Sequence, residues 1–220
     1  MNSDNKPDIV VTSAISNTVS VLFNTGNGTF DTQTTYTVDG SPQAVAVVDV
    51  NSDNKPDIVV MYYGDNTVDV LFNTGTGTFN TQTTYAIDNH PAILAVVDVN
   101  SDNKPDIVVV SFDDNTVGVL LNTGTGTFNT RITYTVGDSP TGVAVVDVNS
   151  DNKSDIVVAH LNRAVGVLLN TGNGIFNAET TYAVGTYPIS VAVTDVNGDN
   201  KPDIVVANNG DSTVSVLLYC

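Results

Sequence analysis

Asp49-Val50-Asn51-Ser52-Asp53-Asn54-Lys55-Pro56-Asp57 is the stretch that decides how this chain is read. It returns at residues 98–106, 147–155 and 195–203, and a truncated copy occupies residues 2–8. Position 1 of each complete copy is Asp49, Asp98, Asp147 or Asp195, and position 3 is Asn51, Asn100, Asn149 or Asn197. Position 5 is Asp53, Asp102, Asp151 or Asp199, and position 9 is Asp57, Asp106, Asp155 or Asp203. The truncated copy keeps Asn2, Asp4 and Asp8 and lacks the first carboxylate. A hard cation such as calcium takes roughly six to eight oxygen ligands, several of them carboxylates. The four side chains supply half of that set. The backbone carbonyl at position 7 (Lys55, Lys104, Lys153 and Lys201, with Lys6 in the truncated copy) and water would supply the rest. The expectation is therefore four complete calcium sites and one incomplete, weaker one. Magnesium, smaller and stricter about geometry, suits a flexible oxygen cage less well.

Two other readings of the stretch differ in what they explain. A run of Asx turns accounts for one or two Asp or Asn residues, but three carboxylates within nine positions repel one another unless a cation sits between them. An EF-hand needs a glycine at loop position 6, a glutamate at 12 and flanking helices. Here the flanks, Ala44-Val45-Ala46-Val47-Val48 and Ile58-Val59-Val60, are β-branched strand formers.

The loop followed by Ile-Val-Val resembles the calcium loop of FG-GAP/VCBS-type repeats, as in the β-propellers of integrin α-subunits. Phe72-Asn73-Thr74-Gly75-Thr76-Gly77-Thr78-Phe79 is similar to the turn that leads to the outer strand in the same family. The resemblance covers the whole chain, with one departure, Ser154 in place of the loop proline. It implies a calcium-binding extracellular module that takes ligands on the face away from the metal loops.

Spacing gives the architecture. Asp4, Asp53, Asp102 and Asp151 are 49 residues apart and Asp199 follows after 48, a period that belongs to propellers and solenoids. Each unit reads as four strands, here Ala44 to Val50, Asp57 to Met61, Val68 to Asn73 and Thr83 to Ile87. The first three are nearly continuous apolar runs, as expected of strands covered on both faces. The fourth alternates Thr and Tyr and reads as outermost. The expectation is an all-β propeller of 49-residue blades, with units at about residues 1–43, 44–92, 93–141, 142–189 and 190–220. A segment of a larger propeller or an open array is the alternative. The first unit lacks an inner strand and the last an outer one, which leads to the expectation of flanking repeats or self-association.

Phe30, Phe79, Phe128 and Phe176 recur at one place in the unit, and Tyr36, Tyr85, Tyr134 and Tyr182 at another. Both sets are expected to pack blade against blade. The loops after strands two and four differ between units. They carry Tyr62, Tyr63, Phe112, His160 and Arg163 in one set and His90 and Tyr187 in the other, and in a propeller both sets emerge opposite the metal loops.

The bulk composition narrows the function. A net charge of −17 excludes a nucleic-acid partner, since phosphate recognition needs a basic face. Fourteen of the 24 acidic residues lie in the five loops, so the acidity is mostly a metal-binding feature. A hydrophobic content of 41% is that of a globular chain, and there is neither a signal peptide nor an apolar run long enough to enter a membrane. The one cysteine, Cys220, cannot form a disulfide within the chain. Millimolar extracellular calcium suits loops of this kind, and the sequon at Asn27 occurs in one unit only. His90 and His160 stand in different units, and no nucleophile, zinc or paired-carboxylate constellation is evident; the chain reads as a non-enzyme. Its function reads as adhesion or the binding of a protein or glycan ligand. The rival readings are a structural building block of a filament and, more remotely, a non-catalytic part of a polysaccharide-active enzyme.

Overall fold

A computed structural model describes residues 1–2, 4–80 and 83–219; Cys220 lies outside the described residues. All regular structure among them is β-strand, arranged as five antiparallel blade sheets in chain order and one two-stranded hairpin. The first sheet holds β1 (Ile9–Ser13), β2 (Thr18–Leu22) and β3 (Thr34–Thr37). The second runs β4 (Pro42–Val48), β5 (Asp57–Tyr62), β6 (Thr67–Leu71) and β7 (Thr83–Ala86). The third repeats that order with β8 (Pro91–Val97), β9 (Asp106–Ser111), β10 (Thr116–Leu120) and β11 (Ile132–Thr135). The fourth uses β12 (Pro140–Val146), β13 (Asp155–His160), β14 (Ala164–Leu168) and β17 (Thr180–Ala183), with the short hairpin β15 (Asn170–Gly172) and β16 (Ile175–Phe176) beside it. The fifth holds β18 (Pro188–Thr194), β19 (Asp203–Asn208) and β20 (Thr213–Leu217).

This is the four-stranded blade expected from the sequence, with shifted edges. Strand one begins two residues early, at Pro42, across a register irregularity at Pro42/Ala44, and ends at Val48. Val48 pairs with Asp57, so the intervening residues hang from the sheet as the connecting loop.

The blades stack face to face. β5 and β9 are buried along their whole length, so successive side chains enter the core on either side. Ile58, Val60 and Tyr62 pack toward the first sheet with Val19, Val21 and Leu71. Val59 and Met61 pack toward the third with Val109, Leu120 and Phe128. Equivalent layers lie between sheets three and four and between sheets four and five. Six of the eight recurring aromatics staple these layers from the outer edge, whereas Phe30 and Tyr182, expected to pack in the same way, are exposed. Phe79 meets Tyr36 edge-on at 5.2 Å, Phe128 meets Tyr85 at 5.3 Å and Phe176 meets Tyr134 at 5.5 Å, the T-shaped arrangement that aromatic quadrupoles favour. Gly77 and Gly126 make this approach feasible. Both hold positive φ, and an added Cβ would lie 2.5 Å from the Phe23 ring or 2.4 Å from the Phe72 ring of the preceding blade.

Candidate metal centre

Each complete candidate metal loop joins strands one and two of its sheet and folds through local side-chain acceptance of backbone amides. In the second sheet Asp49 Oδ1 accepts from the Asn51 and Asp53 amides, both at 3.2 Å, and Asp49 Oδ2 accepts from Asn54 at 2.7 Å. Asn51 Oδ1 accepts from Asp53 N at 3.0 Å, and Asp53 Oδ1 accepts from Lys55 N at 2.9 Å. The same pattern recurs around Asp98, Asn100 and Asp102, around Asp147, Asn149 and Asp151, and around Asp195, Asn197 and Asp199. In the first loop Asn2 and Asp4 accept in the same way from the Asp4 and Lys6 amides. The Asx-turn bonds and the converging carboxylates therefore coexist, one setting up the other. The turn requires left-handed backbone at two positions, Ser52 and Asn54 with φ of 62° in the second loop, a conformation that Asn tolerates better than most residues.

The position-9 aspartate differs from the others. Asp57, Asp106, Asp155 and Asp203 are completely buried. Asp57 Oδ2 accepts from Val50 N at 3.1 Å and its Oδ1 from Asn73 N at 2.9 Å. Burial pushes the Asp57, Asp106 and Asp155 carboxyls up, Asp106 to about 6; the two backbone donors oppose the shift, and the position-1 and position-5 aspartates add to it. A buried carboxylate beside two further carboxylates is an electrostatic cost that a divalent cation removes. Carboxylate oxygens of Asp147, Asp151 and Asp155 lie within 4.8 Å of one another, the one such trio among the described residues. The all-oxygen donor set and the uncompensated buried charge fit calcium. Lys6, Lys55, Lys104 and Lys153 turn their ammonium groups toward the position-5 carboxylate of their own loops, at 3.0–3.6 Å. Lys201 instead lies over the Tyr219 ring, 5.5 Å from its centroid.

The opposite rim is built from the variable loops, and they touch across blades. The amides of Gly40, Asn89 and Thr186 donate to Asp65, Asp114 and Asp211 of the following blade, at 3.0, 2.8 and 2.6 Å. Blade four has a loop one residue shorter and lacks that aspartate. There Glu179 takes over, with Oε2 accepting from Gly137 N at 2.7 Å and Oε1 hydrogen-bonded to His160 Nε2 at 2.7 Å. Two residues expected in these loops, Tyr62 and His160, are thereby corrected. Tyr62, Ser111, His160 and Asn208 are buried, because strand two runs one residue further and points them into the blade interface. The residues that are exposed on this rim include Tyr63, Arg163 and Tyr187. Tyr63 stacks on His90 at 4.8 Å, and His90 Nδ1 bonds Asp113. Tyr187 lies over Gly210 beside Leu161, Asn162, Arg163 and Thr186, around a shallow cavity of about 210 Å³. Sequence reasoning missed the His160–Glu179 pair. Its signal was present as Gly118 and Gly166 at mid-strand three, where other blades carry Ser20, Asp69 and Ser215, coupled with the long Arg131 and Glu179 at the start of strand four.

No helix among the described residues is long and apolar enough to cross a membrane. No functionally curated protein matches the chain. Among solved structures it resembles a lectin from Agrocybe aegerita that recognises non-reducing terminal N-acetylglucosamine. The identity is 21% and the TM-score 0.61, with 93% of this chain and 61% of the lectin covered. It also resembles a functionally unknown protein from Desulfotomaculum acetoxidans, at 15% identity and TM-score 0.67, covering 96% of this chain and 65% of that one. The WD40 β-propeller of Doa1 matches at 17% identity and TM-score 0.59, covering 93% and 58%. The chain thus spans about three-fifths of the length of these proteins. The FG-GAP-like repeat model matches at residues 1–60, 49–109, 98–158 and 147–206, so this chain belongs to the FG-GAP-like repeat family.

Proposed function

We propose that this chain is a calcium-stabilised, non-catalytic, extracellular repeat module that binds a glycan with the rim opposite its metal loops. The observation that carries the reading is the contrast between the two rims. The metal loops are nearly identical from blade to blade, whereas one left-handed rim position carries Ser41, His90, Ser139 and Tyr187 in turn. Two of these are rings. Tyr187 is 59% exposed, and His90 forms a stacked platform with Tyr63. Exposed rings beside hydrogen-bonding side chains suit the apolar face and hydroxyl edge of a sugar. The lectin among the similar folds supports a glycan over other ligands, as a likeness of fold. Family membership and the fit of the loops support calcium. The millimolar calcium found outside cells suits loops of this type.

The test is a glycan array with and without calcium, on the native chain and on Tyr187→Ala with Tyr63→Ala. Selective binding that the double substitution removes, with melting unchanged, supports the reading; no binding to any glycan overturns it. A structural role is the second reading. It is favoured by the apolar outer faces of the end sheets, where Val11 and Val214 are 48% and 62% exposed. Ordered filaments in negative stain would support it.

A further inference from the structure

The metal loops of neighbouring blades are joined by one residue type. Asn73, Asn122 and Asn170 stand just after strand three and are each 3% exposed. The backbone amide of each donates to Oδ1 of its own position-9 carboxylate, at 2.9 Å to Asp57, 2.7 Å to Asp106 and 2.8 Å to Asp155. Its Nδ2 donates twice. One bond goes to the position-8 carbonyl of the same loop, on Pro56, Pro105 or Ser154, at 3.0, 3.0 and 2.9 Å. The other goes to the position-2 carbonyl of the preceding blade's loop, on Met1, Val50 or Val99, at 2.8, 2.8 and 2.6 Å. Its Oδ1 accepts from the first turn glycine, Gly75, Gly124 or Gly172, at 2.8 Å. Both Nδ2 hydrogens are thus committed to the two loops, and Oδ1 holds the turn.

The position-2 residue closes the relay. Val50 N, whose own carbonyl holds Asn122, donates to Asp57 Oδ2, and Val99 N, whose carbonyl holds Asn170, donates to Asp106 Oδ2. A continuous path therefore runs from Asp57 through the backbone of Val50 and Asn122 to Asp106. It continues through the backbone of Val99 and Asn170 to Asp155. Each carboxylate on this path is fully buried and uses both oxygens to hold backbone amides. Orienting one carboxylate toward a cation fixes the buried backbone residue that orients the next asparagine, and through it the next carboxylate. In the fifth blade Tyr219 replaces the asparagine. Its amide still donates to Asp203 Oδ1 at 2.9 Å, and its hydroxyl donates to the Asn149 carbonyl at 3.3 Å.

We propose that Asn73, Asn122 and Asn170 are positioning residues that couple cation occupancy of one loop to the next, so that the loops fill cooperatively. The proposal rests on reading the loops as calcium sites. Coupling between bound sites is an energy difference that must be reciprocal between neighbours, and bonds of fixed geometry through buried peptides are a physical route for it.

Loop-resolved hydrogen exchange at stepped free calcium tests it, because each loop yields its own midpoint. Asp53→Asn is introduced to weaken the second loop, leaving every asparagine of the relay in place. The expected result is that the midpoint of the third loop, residues 98–106, rises about threefold or more although none of its ligands has changed. Adding Asn122→Ala should abolish that transmitted shift, whereas Asn170→Ala should preserve it and instead disconnect the third loop from the fourth. If Asn122→Ala does not fold at saturating calcium, the Asp53→Asn and Asn170→Ala arms still decide. A third-loop midpoint unmoved by Asp53→Asn overturns the coupling. So does a transmitted shift that survives Asn122→Ala. No calcium-dependent protection in any loop overturns the calcium reading itself, a result distinct from loops that respond independently.

Discussion

Glu179 folds over Gly166 to hold His160 Nε2 at 2.7 Å in the interior, and its second oxygen receives the Gly137 amide from the preceding blade's exit loop. An added Cβ at Gly166 would sit 1.7 Å from Glu179 Oε1, so the glycine is what admits the carboxylate. Glu179→Ala should cost about 2–4 kcal/mol, since it strands a buried ring nitrogen and a half-buried amide at once. Gly166→Ala should approach the same loss by expelling the carboxylate. Chemical denaturation in saturating calcium checks both; a loss under 1 kcal/mol for Glu179→Ala would show that solvent replaces the pair without penalty.

Buried charge at position 9 predicts opposite pH responses with and without the metal. The Asp57, Asp106 and Asp155 carboxyls are raised, Asp106 to about 6, primarily by burial. Between about pH 4 and 6 the calcium-free folded chain therefore binds more protons than the unfolded chain, and its stability rises as pH falls from 7 toward 5. Carboxyls held low, such as Asp195 and Asp211, act below that window. With saturating calcium the sign reverses, because protons compete with the cation. Melting curves from pH 7 to 5 on metal-stripped protein should move up, and those with calcium should move down. Parallel curves would refute the account.

Asp69 is a fully buried carboxylate with no hydrogen bond of ordinary geometry among the described residues. Burial raises its carboxyl, and Thr84 and Tyr62 beside it offset this only in part. The first sheet carries Ser20 at this position, bonded to Thr35 at 3.2 Å. Asp69→Asn should stabilise the chain at pH 7 by about 1–2 kcal/mol, as expected on removing an uncompensated buried charge. A destabilised variant would mean that the charge has a partner in the folded chain.

The aromatic staples provide an internal control. Phe128 is 8% exposed and seated on Tyr85, whereas Phe30 is 38% exposed. Phe128→Ala should cost about 3–5 kcal/mol, the usual loss for emptying a buried aromatic site, and Phe30→Ala less than about 1. Equal losses would mean that Phe30 is covered in solution.

Much of this architecture was legible because the information is local and repeated. The nine-residue loop, the apolar runs beside it and the 49-residue period specify strand order and blade composition from neighbours in the chain. The recurring Phe and Tyr announce the blade contacts by phase alone. The rim was harder to read. Tyr62 and His160 look like loop residues by pattern, but one extra strand residue turns them inward.

By itself, the sequence determined the fold, the places where carboxylates cluster and which residues vary from blade to blade, because periodicity and turn chemistry act over a few residues. Only the tertiary structure decided that Asn122 links two of the aspartate loops and that Glu179 crosses to His160 and Gly137. The atoms of Asn122 and the Val50 carbonyl are 72 residues apart, and those of Glu179 and Gly137 are 42 apart. Each contact exists because neighbouring blades stack in register and bury polar groups that must then find partners.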